Sequence, residues 1–270
     1  MNSQQIISSP DNDRCKLVRA LSKKKRVRTQ HGLYVAEGLR LVVQALEAGV
    51  APVFLFASES FAADPRGQAL LGHLPAETRV LHASDQVIRS VSETRHSQGV
   101  VALLPLPSHG PEIVADRDLV LVLDAIRDPG NMGTILRTAA AAGVEAVLTM
   151  PGCVDPYAPK VVRAGMGAQA IVPIHAPEDW QAAAIALSGH TCVLSDGAAD
   201  RPYWEQDWRG PTALIIGGEA NGAGQEARAL ATQSVCLPMA QGMESVNAAI
   251  AAGVLLFEIR RQRSLDGPSR

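Results

Sequence analysis

Three segments of this 270-residue chain end an apolar run in polar residues suited to holding a ligand. The first is Asp124-Ala-Ile-Arg-Asp-Pro-Gly-Asn-Met-Gly-Thr-Ile-Leu-Arg137. It leaves the run Leu119-Val-Leu-Val-Leu123 and opens a helix for which Asn131 is the expected N-cap. Gly133 permits close approach of another backbone or a ligand. Arg137 suits a phosphate or a ribose, and the plain alternative is a surface arginine on a capped helix. The second is Ile215-Ile-Gly-Gly-Glu-Ala-Asn-Gly-Ala-Gly224, where Glu219 and Asn221 stand among glycines. Such glycines admit an adenosine or a phosphate, or simply make a tight turn. The third, Leu237-Pro-Met-Ala-Gln-Gly-Met-Glu-Ser-Val-Asn-Ala-Ala-Ile250, sets Ser245 and Asn247 at the mouth of the last helix. Ser245 alone reads equally well as that helix's N-cap.

Alternating strand and helix patterns position these segments. The second half reads as strands near 119–123, 146–150, 171–174, 192–194, 213–216 and 234–237. Helices fall near 132–142, 159–168, 180–187, 224–231 and 246–263. The first half reads as strands near 33–37, 53–57, 79–82 and 99–104, with helices near 38–48, 68–71 and 84–91. Alternation of this kind implies a parallel sheet with helices on both faces, expected in the catalytic domain and preceded by a smaller α/β domain, and in such sheets ligands bind beyond the carboxyl ends of the strands. The fold class is therefore α/β. The proline- and glycine-rich stretch Pro105-Leu-Pro-Ser-His-Gly-Pro111 reads as a linker. The expected division is a flexible N-terminus over 1–13, a substrate-binding domain over 14–104, a linker over 105–112, a catalytic domain over 113–264 and a tail over 265–270.

The composition is 47% hydrophobic and 19% charged, which excludes a disordered tail, a collagen-like chain and a coiled coil. No window of 18 consecutive apolar residues is present, so no membrane span is expected, and the N-terminus has no signal-peptide pattern. Cys15, Cys153, Cys192 and Cys236 are scattered, which argues against a zinc site or a disulfide framework and for a reducing cytoplasm. The net charge of −2 hides an asymmetry, because residues 14–40 carry nine basic side chains against Glu37 alone. Lys23, Lys24, Lys25, Arg26, Arg28 and Arg40 are the candidates for contact with a polyanion, set against the alternative of a solvated helix face.

Together the three segments resemble the SpoU, or TrmH, family of RNA ribose 2'-O-methyltransferases. Asn131, Gly133 and Arg137 match its first motif. Gly217, Glu219 and Gly222 match the second, and Leu237, Pro238, Met239, Ser245, Val246 and Asn247 the third. Val246 stands where leucine is usual, Ala248 where valine is usual and Gln241 where glycine is common. The stretch Arg28-Thr-Gln-His-Gly-Leu-Tyr-Val-Ala-Glu-Gly-Leu-Arg40 resembles the opening of the family's substrate-binding domain, which is related to a kink-turn-binding ribosomal protein fold.

The resemblance implies S-adenosylmethionine as methyl donor, an RNA substrate with ribosomal RNA favoured, and no metal. It also implies a trefoil knot over about 192–243 and a homodimer whose active site is completed across the interface. The implied catalytic set is Arg137, Asn131, Glu219, Ser245 and Asn247. The implied cofactor set is Ser195, Gly217, Gly218, Gly222, Leu237, Met239, Val246 and Asn247. A nucleotide-binding dehydrogenase is excluded by the absence of G-x-G-x-x-G after a first strand. A tRNA ribose methyltransferase and a non-catalytic RNA-binding module are the alternatives. The module leaves the co-occurrence of Arg137, Glu219 and Asn247 without a reason.

Overall fold

The computed structural model describes residues 6–94, 96–219 and 221–264, which form two compact units. The first comprises residues up to Pro107 together with Asp155–Ile171, and the second comprises Ser108–Val154 and the chain from Val172 on.

The first unit opens with α1 (Asp13–Lys23) and α2 (Lys25–His31), followed by β1 (Leu33–Glu37), α3 (Leu39–Glu47) and β2 (Phe54–Ser58). Next come α4 (Glu59–Ala63), α5 (Pro65–Gly72), β3 (Arg79–Ala83), α6 (Asp85–Val91) and β4 (Val100–Pro105). Its sheet has the order β1-β4-β2-β3 and is mixed: β4 runs antiparallel to β1 and β2, and only β2 and β3 are parallel. The sheet is mixed because β4 returns between β1 and β2. Side chains alternate across the sheet. Phe54 and Phe56 pack with Cys15, Val18 and Leu21 of α1 and with Val87, Ile88 and Val91 of α6. Leu55 and Ala57 face Val42, Phe61 and Leu70 of α3, α4 and α5. The basic window is thus largely helical, and α1 is a core element. The N-terminus from Ile7 on is held rather than flexible, since the Ile7 amide donates to the His82 carbonyl at 2.8 Å and Ser84 donates back to Ile7. Residues 1–5 and the 265–270 tail lie outside the described residues.

The second unit contains β5 (Leu119–Leu123), α7 (Pro129–Ala142) and β6 (Ala146–Thr149). The chain then contributes α8 (Pro159–Gly165) to the first unit. Back in the second unit follow β7 (Ile174–His175), α9 (Trp180–Ala186), β8 (Thr191–Ser195) and β9 (Thr212–Ile216). It ends with α10 (Gln225–Leu230), β10 (Gln233–Val235) and α11 (Ala248–Ser264). The sheet order is β10-β8-β9-β5-β6-β7 and every pairing is parallel, so all carboxyl ends share one edge. All five residues of β5 are buried, as a strand covered on both faces requires. One face packs on α9 and α10 through Ala183, Leu187 and Ala227, and α7 and α11 pack against each other.

Asp155–Ile171, inside the span 113–264 expected for the catalytic domain, packs with the first unit. One correction concerns the basic candidates. Arg28 is no surface cation: it is 4% exposed and ion-paired with Asp155, to which its Nε donates at 3.0 Å. Its Nη1 also donates to the Leu21 carbonyl, and Tyr34 stacks at a tilt on Tyr157 with ring centroids 5.1 Å apart. The partner of Arg28 lies 127 residues away in sequence, beyond the reach of local charge counting. Arg28→Ala leaves Asp155 without its cation and is expected to cost ~3–5 kcal/mol of stability. A shift of the urea midpoint at unchanged slope checks this, and Arg28→Lys restores only part because the forked contact is lost.

Candidate active site

The edge where the strands of the second unit end carries a cavity of about 410 Å3. Ser195 closes β8, Ile216 closes β9, and Leu237 lies two residues beyond β10. All three line the cavity, and Gly217, Gly218, Gly222, Met239, Val246 and Asn247 complete the set expected to hold the cofactor. Glu219 and Ser245 also line it. The glycines are needed by close approach. A Cβ on Gly217 would collide with the backbone of Gly222 and Ala223, and one on Gly218 would lie 2.7 Å from the Ala125 carbonyl oxygen. A hairpin-like contact, in which Gly218 and Gly222 exchange amide hydrogen bonds at 3.0 and 3.1 Å, holds the turn.

At the rim, Asn131 Nδ2 donates to Glu219 Oε1 at 2.9 Å, and Asn247 Nδ2 donates to Asn131 Oδ1 at 2.9 Å. The Glu219 carboxylate also accepts the amides of Arg127 and Asp128, each at 3.3 Å. Three strand-to-helix transitions are therefore tied by one chain of hydrogen bonds. Partial burial works against ionisation of Glu219, but the donors from Asn131, its own backbone, Arg127 and Asp128 outweigh it and hold the carboxyl below its usual value. Asn247 Oδ1 accepts the Ala249 amide at 2.8 Å and so caps α11, the place for which Ser245 was the sequence candidate. The cap of α7 is likewise Asp128, which accepts the Asn131 amide at 2.8 Å, and Pro129 occupies the first helical position. Asn131 is freed from capping and turns its side chain to the network.

Arg137 is not brought to this network. It lies six residues after Asn131, about 240° around the helix and ~9 Å along it. It is exposed, makes no hydrogen bond or ion pair among the described residues, and does not line the cavity.

Sequence reasoning missed several parts. Asp124, 6% exposed, accepts the Gly224 amide at 2.7 Å and pins the glycine segment. Arg127 and Asp128 fix Glu219 through backbone amides, which leave no side-chain signature. The pair Asp128-Pro129 was the available signal for the cap. Gly197 also reaches the cavity, from a loop with no motif, and Glu244 reaches it from within the third segment. No metal-binding cluster occurs among the described residues, and no described helix is long and apolar enough to cross a membrane.

The family model for the SpoU rRNA Methylase family matches residues 118–257, and that for an MRM3-like substrate binding domain matches residues 12–102. The chain belongs to the SpoU rRNA Methylase family. An uncharacterized tRNA/rRNA methyltransferase of Synechocystis sp. is 34% identical over 95% of this chain and 94% of its own length. The 23S rRNA (guanosine(2553)-2'-O)-methyltransferase RlmP of Bacillus subtilis is 31% identical over 94% of this chain and 98% of its own. The crystal structure of the SpoU methyltransferase AviRb from Streptomyces viridochromogenes, in complex with the cofactor AdoMet, superposes with a TM-score of 0.85. It is 27% identical and covers 94% of this chain and 98% of that one. The SpoU family match is continuous through Asp155–Ile171, although that segment packs with the first unit.

Proposed function

We propose that this chain methylates a ribose 2'-hydroxyl of ribosomal RNA with S-adenosylmethionine as donor. The observation that carries the reading is the cavity at the carboxyl ends of β8, β9 and β10 with the Asn131–Glu219–Asn247 network on its rim. The cavity's volume suits a cofactor-sized molecule. Its lining pairs apolar Ile216, Leu237, Met239 and Val246 with polar Ser195, Glu244 and Ser245, the mixture an adenosine with a charged amino-acid tail requires. Bound, S-adenosylmethionine supplies an already activated methyl sulfonium.

The chain's own residues must orient a poor nucleophile and let its proton leave. Asn131 and Asn247 fix the ribose at the rim. Glu219 accepts hydrogen bonds at both oxygens and is held ionised, so it serves as a clamp rather than as a proton acceptor. A guanidinium has no lone pair free to accept a proton; the role of Arg137 is to bind the target phosphate and polarise the hydroxyl, and the proton leaves to a phosphate oxygen or to water. Recognition of the 2'-hydroxyl confines the enzyme to RNA.

A homodimer is part of this reading. Ile250, Val254 and Phe257 are 56%, 36% and 51% exposed at i, i+4 and i+7 on α11, an apolar stripe of the kind that marks an interface. Leu255 and Ile259 on the same helix are fully buried in their own unit. A second copy on this stripe is what brings an Arg137 to the site. The knot over about 192–243 and a cytoplasmic location, consistent with four free cysteines, belong to the same proposal.

The test is to incubate the purified protein with isotopically labelled S-adenosylmethionine and ribosomal or transfer RNA, and to analyse the digested nucleosides by mass spectrometry. A labelled 2'-O-methylnucleoside from ribosomal RNA is expected. Label only in transfer RNA would move the substrate, label on a base would overturn the chemistry, and absence of cofactor binding would leave an RNA-binding module.

A further inference from the structure

The first unit carries a second, larger cavity where β1, β2 and β3 end and β4 begins. It measures about 600 Å3, and Arg40, Arg66, Arg89, His96, Asp85 and Gln98 are among its walls. A smaller cavity of about 190 Å3 shares Arg40, His96 and Gln98 with it and adds Arg163 from α8. The common walls make the two one groove.

Its charges are unevenly committed. Arg66 pairs with Asp64, its Nε lying 3.1 Å from the carboxylate. Glu37, at the end of β1, accepts the hydroxyls of Ser92 and Thr94 and the Glu93 amide at 2.8 Å. The side chains of Arg40, Arg89, Arg163 and His96 make no hydrogen bond or ion pair among the described residues, and neither does Asp85. Three guanidinium groups without a partner among the described residues stand around a concavity, with the Asp85 carboxylate and the Gln98 side chain, whose oxygen accepts the Leu39 amide at 2.9 Å, between them, and are ill suited to a duplex. A duplex presents a convex backbone, meets protein through phosphates and 2'-hydroxyls, and would be repelled by Asp85. They suit an unstacked nucleotide, with phosphates on the arginines and a base edge inside, where a carboxylate accepts from an amino group.

We propose that the groove of Arg40, Arg89, Arg163 and His96 holds an unpaired segment of the RNA substrate. The proposal rests on the ribose methyltransferase reading and adds where that substrate is selected. The exposed run Lys23, Lys24, Lys25 and Arg26 spans the junction of α1 and α2 and lines neither cavity. That run contributes attraction without selection.

The test uses the full chain and fluorescence anisotropy with two probes, a short unpaired RNA oligonucleotide and an RNA duplex of the same length. The wild-type protein is expected to prefer the unpaired probe. Arg40 and Arg89 are exposed, so Arg40→Gln with Arg89→Gln leaves the fold intact. The pair should lose roughly tenfold or more in affinity for the unpaired probe and little for the duplex. Lys24→Gln with Lys25→Gln should weaken both probes alike and flatten the salt dependence. Wild-type affinity of the arginine pair for the unpaired probe, or equal losses on both probes, would overturn the proposal. Titration with S-adenosylmethionine runs in parallel: a wild-type protein that does not bind it sinks the methyltransferase reading and leaves the groove result standing by itself.

Discussion

Arg137→Ala is expected to reduce methyl transfer by about 10³-fold while folding and S-adenosylmethionine affinity stay close to wild type. The exposed, unpartnered position of Arg137 on α7 means that the substitution removes no packing and no hydrogen bond within the described chain. The loss should fall on turnover, because the residue stands outside the cofactor cavity. Its distance from the Asn131–Glu219–Asn247 network within one chain gives a sharper test. If a second copy supplies it, two inactive proteins should complement each other. Arg137→Ala lacks the donated arginine but keeps its own rim, whereas Asn247→Ala lacks the rim but keeps an arginine to donate. Mixed dimers then contain one complete site, and random pairing should recover about a quarter of wild-type activity. Two outcomes would refute this: a mixture as inactive as its parents, which places the arginine's action within one chain, or a protein that light scattering shows to be monomeric while fully active.

What sequence reading captured and what it lost divide along the range of the interactions involved. Glu219, Asn247 and Asn131 were legible because each stands where an apolar strand run gives way to polar residues, and the parallel sheet collects those places along one edge. The cofactor candidates were legible for the same reason, and all of them line one cavity. Arg28 was misread because neighbouring lysines make it look solvated, and nothing within its own helix announces Asp155. The allegiance of Asp155–Ile171 was hidden likewise: α8 has the composition of any helix between two strands, and its packing on β1 is a long-range fact. On α11 every apolar residue looked equivalent in sequence. Only packing within the unit separates Leu255 and Ile259, which are buried, from Ile250 and Phe257, which are exposed. The strand directions of the first unit are set by where β4 inserts, which alternation does not encode.

The role assigned to Glu219 separates two mechanisms. As a clamp, its carboxylate holds the Asn131 side chain and the Arg127 and Asp128 amides, so the loop before α7 keeps its shape. Removing it with Glu219→Ala releases three donors and lets the rim shift, and a displacement of ~1 Å is enough to cost about 10²-fold in turnover. Glu219→Gln keeps one oxygen. With that oxygen toward Asn131 and Asp128, only the Arg127 amide loses its acceptor and meets an amino group instead. The glutamine variant should therefore retain much of the activity that alanine loses. A proton acceptor would behave differently, since glutamine cannot take a proton and would be as inactive as alanine. The pH dependence points the same way. A carboxyl whose folded value lies below the ordinary one contributes stability that is present above the ordinary glutamate range and is lost as pH falls through the depressed folded value. The clamp is thus fully formed at neutral pH, and wild type and Glu219→Gln should share one pH–rate profile there, differing in height alone. Equal inactivity of the two variants, or an acid limb present in wild type near neutrality and absent in Glu219→Gln, would make Glu219 the base and return the proton to this carboxylate.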